Sequence, residues 1–494
     1  MLAGVSLYIG GCTEGALLVT WRHMGDRDAE PNRHLAAVMR QAGVSNKGLG
    51  RRVRELSESD GGSVPVRADH VQVSRWLAGR HPHPRTCRLI ARALAEKLGR
   101  RVTLEEIGYG DVAAGPDVGL EYPVDVAASV TALGQLTHSD LHDAAVVSGL
   151  RVVPEAWSTL LVRWLVDTDH EQSRPPADPR PVTVIDVEAI RDATVMFGNY
   201  DYKFGGGRPK PLVAKFLEIE VLPLLPHVSL TDPVGREYFR EVAALTRLAG
   251  WTAYDAGAHG QAQRYLTQAF RLAKAAGDKA LCGRILAGMS HQANFLGHYQ
   301  RAVDLATAAH QGAKGYTTPT SVALFLAMKA RAHASLGQEA EATAALLAAE
   351  RQHAQGEPAN DPVWIRYFDR AELHAEFAHC FRDLKKSELA NYHAAASIRE
   401  SSNLYVRSLS FCRTVLATSH LLNNDIEEAL AVASGVVDTA ATLQSFRVLS
   451  YVADFRTRLA TVCADDPIVR RFNEYADTQL SLKRAPMPRR LVVT

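Results

Sequence analysis

The stretch His70-Val71-Gln72-Val73-Ser74-Arg75-Trp76-Leu77-Ala78-Gly79-Arg80 separates into two faces when wound as a helix. Val73, Trp76 and Leu77 fall on one side. Val71, Ser74 and Arg75 fall on the other, with His70 and Gln72 on its flanks. Gly79 is a good stop for such a helix, and Arg80 and His81 follow beside its end. An apolar inner face beneath an outer row of Arg, Ser, Gln and His suits the major groove of DNA. Arginine can pair with guanine, glutamine with adenine, and valine can meet a thymine methyl. His70, Val71, Gln72, Ser74 and Arg75 are therefore the candidate base-reading residues.

Helical signals surround this stretch. Residues 31–39 place Leu35, Val38 and Met39 on one face, with Pro31 near the first turn. Gly43-Val44-Ser45 makes a break with Ser45 as N-cap, and a second helix follows through Leu49, Val53 and Leu56. A polar, Gly-rich loop at 57–65 leads to Asp69, just ahead of the helix at 70. Pro82 and Pro84 mark the next turn. Residues 86–98 turn Leu89, Ile90, Ala93, Leu94 and Leu98 inward, and 102–108 is expected to close as a short helix, giving a five-helix unit. Between residues 33 and 101 stand fifteen Lys or Arg against five Asp or Glu, a local +10 in a chain whose net charge is +2. That asymmetry matters more than the total. Arg51, Arg52, Arg80, His81 and Arg85 are the candidate phosphate contacts, since paired helices set such side chains beside the backbone.

Gly43-Val44-Ser45, Leu49 with Arg51-Arg52, the run from Val73 to Arg80, Ile90-Ala91-Arg92-Ala93-Leu94 and the 102–108 ending together resemble the Cro/C1-type helix-turn-helix family, also called the xenobiotic-response-element family. The resemblance covers roughly residues 30–110 and implies a DNA-binding domain with 70–77 as recognition helix. It departs in one place. Segment 57–69 is longer than the family's tight turn, which leaves the register of the first paired helix against the second open.

The C-terminal half repeats. A glycine-like position is followed five residues later by alanine at Gly257/Ala262, Gly297/Ala302 and Gly337/Ala342, and in weaker form at Asn424/Ala429. A further unit centres on Ala390, with Lys385 in the glycine's place. Seven residues beyond each alanine stands another small or apolar residue: Ala269, Ala309, Ala349, Ser397 and Val436. Glycine ends the first helix of a pair, and alanine lets the second pack closely. Neither can bury its face alone, so units stack into a superhelix. The pattern resembles the tetratricopeptide repeat over roughly 236–440, with a cruder helical pattern to about 482. The concave groove of such a superhelix is the candidate site for a ligand or partner, with His291, Asn294, Lys329, Arg331 and His374 as its polar lining.

The expected fold class is all-α: an N-terminal five-helix helix-turn-helix domain, then a tetratricopeptide-like α-solenoid. At 494 residues the chain is too long for one core. The expected divisions are a disordered or mis-annotated extension at 1–23 with Met24 as the true start, a DNA-binding domain at 24–110, a helical connector and linker at 111–182, the repeats at 183–482 and a disordered tail at 483–494. Six scattered cysteines without a C-x-x-C pair argue against disulfides and a zinc site, and fit a reducing cytoplasm. Gly205-Gly206-Gly207-Arg208 lacks a following Gly-Lys-Ser/Thr and a preceding strand, so it reads as a flexible helix–helix turn rather than a phosphate loop. His138 and His142 would share a helix face, but no third ligand is evident nearby. No catalytic constellation is found, and neither cofactor nor metal is expected. The expected partners are double-stranded DNA, a second copy of the chain, and a peptide, protein or small-molecule effector in the groove, with no membrane. The layout is similar to actinobacterial regulators of development and secondary metabolism that join these two modules. The rival readings are a tetratricopeptide-type scaffold without DNA binding and an enzyme hidden in helical repeats.

Overall fold

The computed structural model describes residues 31–59, 66–80, 82, 84–100, 102–104, 106–109, 118–123, 125–166, 176, 178–463 and 466–481. Within them the chain is all-α, with no strand. It divides into two compact units, Met1–Val112 and Ala113–Thr494. The expected extension at 1–23 and tail at 483–494 lie outside the described residues.

In the first unit four helices are described: α1 (Arg33–Gln41), α2 (Asn46–Ser59), α3 (His70–Leu77) and α4 (Pro84–Leu98). Each of the first three begins at a side-chain oxygen that accepts an otherwise unpaired helix N–H. Asn32 Oδ1 takes Leu35 N–H at 2.9 Å, Ser45 Oγ takes Gly48 N–H at 3.2 Å, and Asp69 Oδ1 takes Gln72 N–H at 2.8 Å. Leu35, Leu49, Val53, Val73, Trp76, Ile90 and Leu94 meet in one core. Gly50 lets α2 approach the start of α3, since a Cβ there would lie 3.1 Å from the backbone of Asp69. The expected fifth helix is not formed: the described residues between 102 and 109 are extended or in turns. Val102 and Thr103 are β-branched, Gly108 has φ +74°, and Asn32 Nδ2 donates to the Ile107 carbonyl at 2.9 Å. These features make a closed turn.

The second unit begins with α5 (Val126–His142), α6 (Ala144–Gly149), α7 (Pro154–Val166), α8 (Val184–Phe204) and α9 (Lys210–Phe216). Six long helices follow as α10 (Pro233–Asp255), α11 (His259–Ala275), α12 (Lys279–Phe295), α13 (Tyr299–Gly312), α14 (Pro319–Ser335) and α15 (Glu339–His353). The last six are α16 (Arg370–Asp383), α17 (Ser387–Glu400), α18 (Val406–Leu422), α19 (Ile426–Thr442), α20 (Phe446–Cys463) and α21 (Pro467–Ser481). From α10 to α19 consecutive helices pack on one another, and α10, α12, α14, α16 and α18 also meet in sequence. That is a solenoid-like arrangement.

The repeat positions carry its geometry. Gly257, Gly297, Gly337, Lys385 and Asn424 all take positive φ. At each, the next residue's N–H reaches back to a carbonyl five residues earlier, as His298 does to Ala293 at 2.9 Å and Lys386 to Phe381 at 2.8 Å. Ala262, Ala302, Ala342, Ala390 and Ala429 are fully buried at the close approach of each pair.

Two features of this unit are not repeats. First, α5 and α7, part of the segment read from sequence as a connector, pack on α11 and α13. Trp164 Nε1 donates to the Ala308 carbonyl at 3.1 Å, and Gln263 bonds both backbone groups of Val153. Second, the far end of the stack returns to α8. Gln444 N–H donates to the Phe204 carbonyl and Gly207 N–H to that of Gln444, both at 2.9 Å. A Cβ at Gly205 would sit 2.7 Å from the Gln444 oxygen, and one at Gly206 2.7 Å from Asp255 Cβ. The glycine triplet is thus a pinned clasp. Its glycines serve close backbone approach rather than the flexibility expected of them.

Candidate nucleic-acid interface and repeat cavity

On α3 the buried side chains are Val73 and Trp76, at 0% and 4% exposure, while Val71 stays 43% exposed. His70, Ser74 and Arg75 are exposed and Gln72 is half-buried, so four of the five base-reading candidates are exposed on one capped helix and Gln72 lies at the edge of that face. The N–H of Gln72 holds the capping carboxyl of Asp69 below its usual range. Ser74 Oγ donates to the His70 carbonyl at 2.9 Å and accepts from Asn46 Nδ2 at 3.0 Å. Asn46 was missed from sequence. It opens α2, directly after the N-cap Ser45, so two helix N-termini converge on this face. That adjacency was the signal that could have found it.

The phosphate candidates divide. Arg80 is exposed just past α3. Arg51 is exposed, with Glu55 at 3.7 Å as its weak partner. Arg52 is held by Glu96 at 2.6 Å and Glu55 at 3.0 Å, which ties α2 to α4 and occupies its guanidinium. His81 lies outside the described residues, as does the side chain of Arg85 on α4.

The second unit contains a cavity of ≈ 550 Å³, open on one side, between α8, α10, α12, α14, α16, α18, α20 and the 362–367 loop. Of the five groove candidates only His291 and Arg331 line it. Asn294 and Lys329 are half-buried elsewhere on α12 and α14, and His374 pairs with His393 at 2.9 Å between ring nitrogens. Burial and Arg447 keep His291 well below its ordinary pKa, hence neutral. Arg447 can only donate to its Nε2 (3.3 Å), so Nδ1 carries the proton and donates to Tyr254 Oη at 2.8 Å. Arg331 reaches Glu376 and Tyr451 Oη, each at 3.2 Å.

The stronger charges here were not foreseen. Arg407 holds both oxygens of Asp201, at 2.5 and 2.7 Å, and lies 3.4 Å from Asp255. Burial alone would lower its pKa, but the two carboxylates hold it above the ordinary value. Asp255 also faces Arg447 at 3.7 Å and accepts from Gly206 N–H and Ser445 Oγ at the clasp. Arg247 and Arg284, at 9% and 5% exposure, line the cavity with no ion pair or hydrogen bond among the described residues. The Nε of each is a buried donor with no acceptor. Arg284 lies over the rings of Trp251 and Tyr367, at 5.9 and 5.4 Å. Burial and the neighbouring Arg284 push Arg247 down to about 10. The sequence signal was an arginine inside a run of small and apolar residues, as at Ala243-Ala244-Leu245-Thr246-Arg247-Leu248-Ala249.

A third group does stand beside His138 and His142. Glu218, from a π-helical turn at Leu217–Val221, lies 2.9 Å from His142 and 3.7 Å from His138. It was invisible from spacing because it is 76 residues from His142. Lys215 at 2.9 Å holds Glu218 below the usual carboxylate range, so this half-exposed cluster is satisfied by its own members.

Residues 35–110 match the family described as the SP15 N-terminal domain. No curated protein and no solved structure matches the chain. No described helix is long and apolar enough to cross a membrane.

Proposed function

We propose that the chain is a sequence-specific DNA-binding transcription regulator, in which α3 reads base edges and the repeat unit pairs two copies and receives an effector. The observation that carries this reading is the outward row His70, Val71, Gln72, Ser74 and Arg75 over a buried Val73 and Trp76. Such a row on a capped helix meets the geometric needs of groove entry. The local +10 and the Cro/C1 resemblance of the same residues support it, with Arg51 and Arg80 as the phosphate contacts left exposed. The second unit fits a tetratricopeptide-like solenoid, since its turn residues and alanines fall at the expected repeat positions. The two-module layout is similar to actinobacterial regulators of development and secondary metabolism. The buried thiols of Cys282, Cys380 and Cys412 suit a reducing cytoplasm.

A single domain of this size covers little DNA, so two copies on paired half-sites are the expected binding form. Retardation of genomic fragments by the full chain at low salt tests the reading, followed by sedimentation of the complex. Selective capture with two chains per site is expected. Failure to retard any genomic DNA refutes DNA binding, and one chain per site refutes the pairing.

A further inference from the structure

We propose that the cavity of the second unit binds a small organic anion, its oxyanion gripped by Arg247 and Arg284 and its planar body set among the aromatic walls. This rests on the effector half of the function proposed above and gives that effector a chemistry.

The argument begins with charge. Eight arginines and five carboxylates line the cavity. The other arginines are accounted for. Arg191 meets Glu237 and Glu241, Arg240 meets Asp278, Arg331 meets Glu376, Arg407 meets Asp201, Arg447 meets Asp255 behind the wall, and Arg366 donates to the Asp361 carbonyl. Arg247 and Arg284 are left over, and they are among the most buried. A buried guanidinium without a carboxylate partner carries a desolvation cost that the aromatic rings beside Arg284 offset only in part. An incoming carboxylate or phosphate would offset it, because each guanidinium can present paired N–H donors to two oxygens.

Shape narrows the ligand further. The volume falls within the range of small-molecule sites and is too small for a folded partner. Tyr202, Trp251, Trp364 and Tyr367 line the same space, so flat rings face the anion pocket. With Arg284 already stacked over two of those rings, a planar body that continues the stack retains the contacts the guanidinium makes.

Three probes with one body separate the contributions: 1-naphthoate, 1-naphthyl phosphate and the neutral 1-naphthalenemethanol. Each is titrated into the full chain by calorimetry, without DNA, so that a failed DNA reading and a failed anion reading remain distinct. At least one of the two anions should saturate at one per chain and bind at least tenfold more tightly than the alcohol. Which of them does so tells a carboxylate from a phosphate. The double variant R247M/R284M should lose that tenfold preference, and should melt no lower than the unsubstituted protein without ligand, because it removes unpartnered charge. Equal binding of anion and alcohol, no saturable anion binding, or an anion preference that survives the double substitution overturns the proposal. A double variant that fails to fold overturns it as well, since it would show the two guanidiniums to be structural.

Discussion

Arg75 and Arg407 both project from helices, and their surroundings could hardly differ more. Arg75 is exposed on α3 in the first unit. Arg407 is buried at the start of α18 in the second, closed by the two oxygens of Asp201. The first keeps its hydration and can act on whatever approaches, at a strength set by salt. The second has lost its water and answers only to the carboxylates beside it. One residue type therefore serves recognition in one unit and architecture in the other. Arg247 and Arg284 are buried like the second and unpartnered like the first.

The largest effect should come from breaking the interior pair. Arg407→Ala leaves Asp201 buried without its counter-charge and should cost about 3–5 kcal/mol. The check is urea unfolding of the full chain, and a loss below about 1 kcal/mol would refute the architectural role. Acid should come next. Burial depresses His259 and His393 to about 4, against 6.5 for an ordinary histidine. Burial also holds His291 and His379 well below that value. The unfolded chain takes up these protons near pH 6.5, whereas the folded one takes up those of His259 and His393 only near 4. Stability is thus complete above 6.5 and is lost as pH falls through that window, by up to about 2 kcal/mol for His259 at pH 5 and by less for the half-buried His393. Melting between pH 7.5 and 5 measures this, and a flat profile would sink it.

Arg75→Ala should separate the units cleanly. Affinity for a selected site should fall by about 1–3 kcal/mol with relaxed preference at one base position, while stability moves by no more than about 0.5 kcal/mol. A stability loss as large as the affinity loss would erase the contrast. The smallest effect concerns Lys385, held at φ +60° where other repeats carry glycine. Lys385→Gly should gain roughly 0.5–1 kcal/mol. Thermal melting decides it, and a loss would mean that the lysine side chain contributes more than the turn costs.

Local order was the legible part. The α3 faces, the cap at Ser45, and the five turn positions with their alanines depend on neighbours a few residues away, so local pattern displays them. The short ending at 102–108 misled because its apolar spacing was helical while its β-branched start and Gly108 favoured a turn. The cavity was hidden for a different reason. Asp201 and Arg407 lie 206 residues apart, and no spacing rule links an arginine on α10 to one on α12. All five groove candidates were chosen as polar groups, and of them His291 and Arg331 line the cavity. Asn294, Lys329 and His374 do not line it, because polarity does not report the direction a side chain takes.

The clasp at Gly205-Gly206-Gly207 bears on how the protein is made. Asp201 leaves the ribosome 206 residues before Arg407. At about 5–20 residues per second that is an interval of roughly 10–40 seconds. Throughout it the end of α8 exposes a carboxylate and a run of bare backbone destined for the interior. Each helix pair can form as it emerges, because its contacts are local, but the circuit through Gln444 cannot close until Gln444 itself has emerged. Synthesis thus passes through a long-lived open form, and the arrival of Arg407 and Gln444 is what ends it.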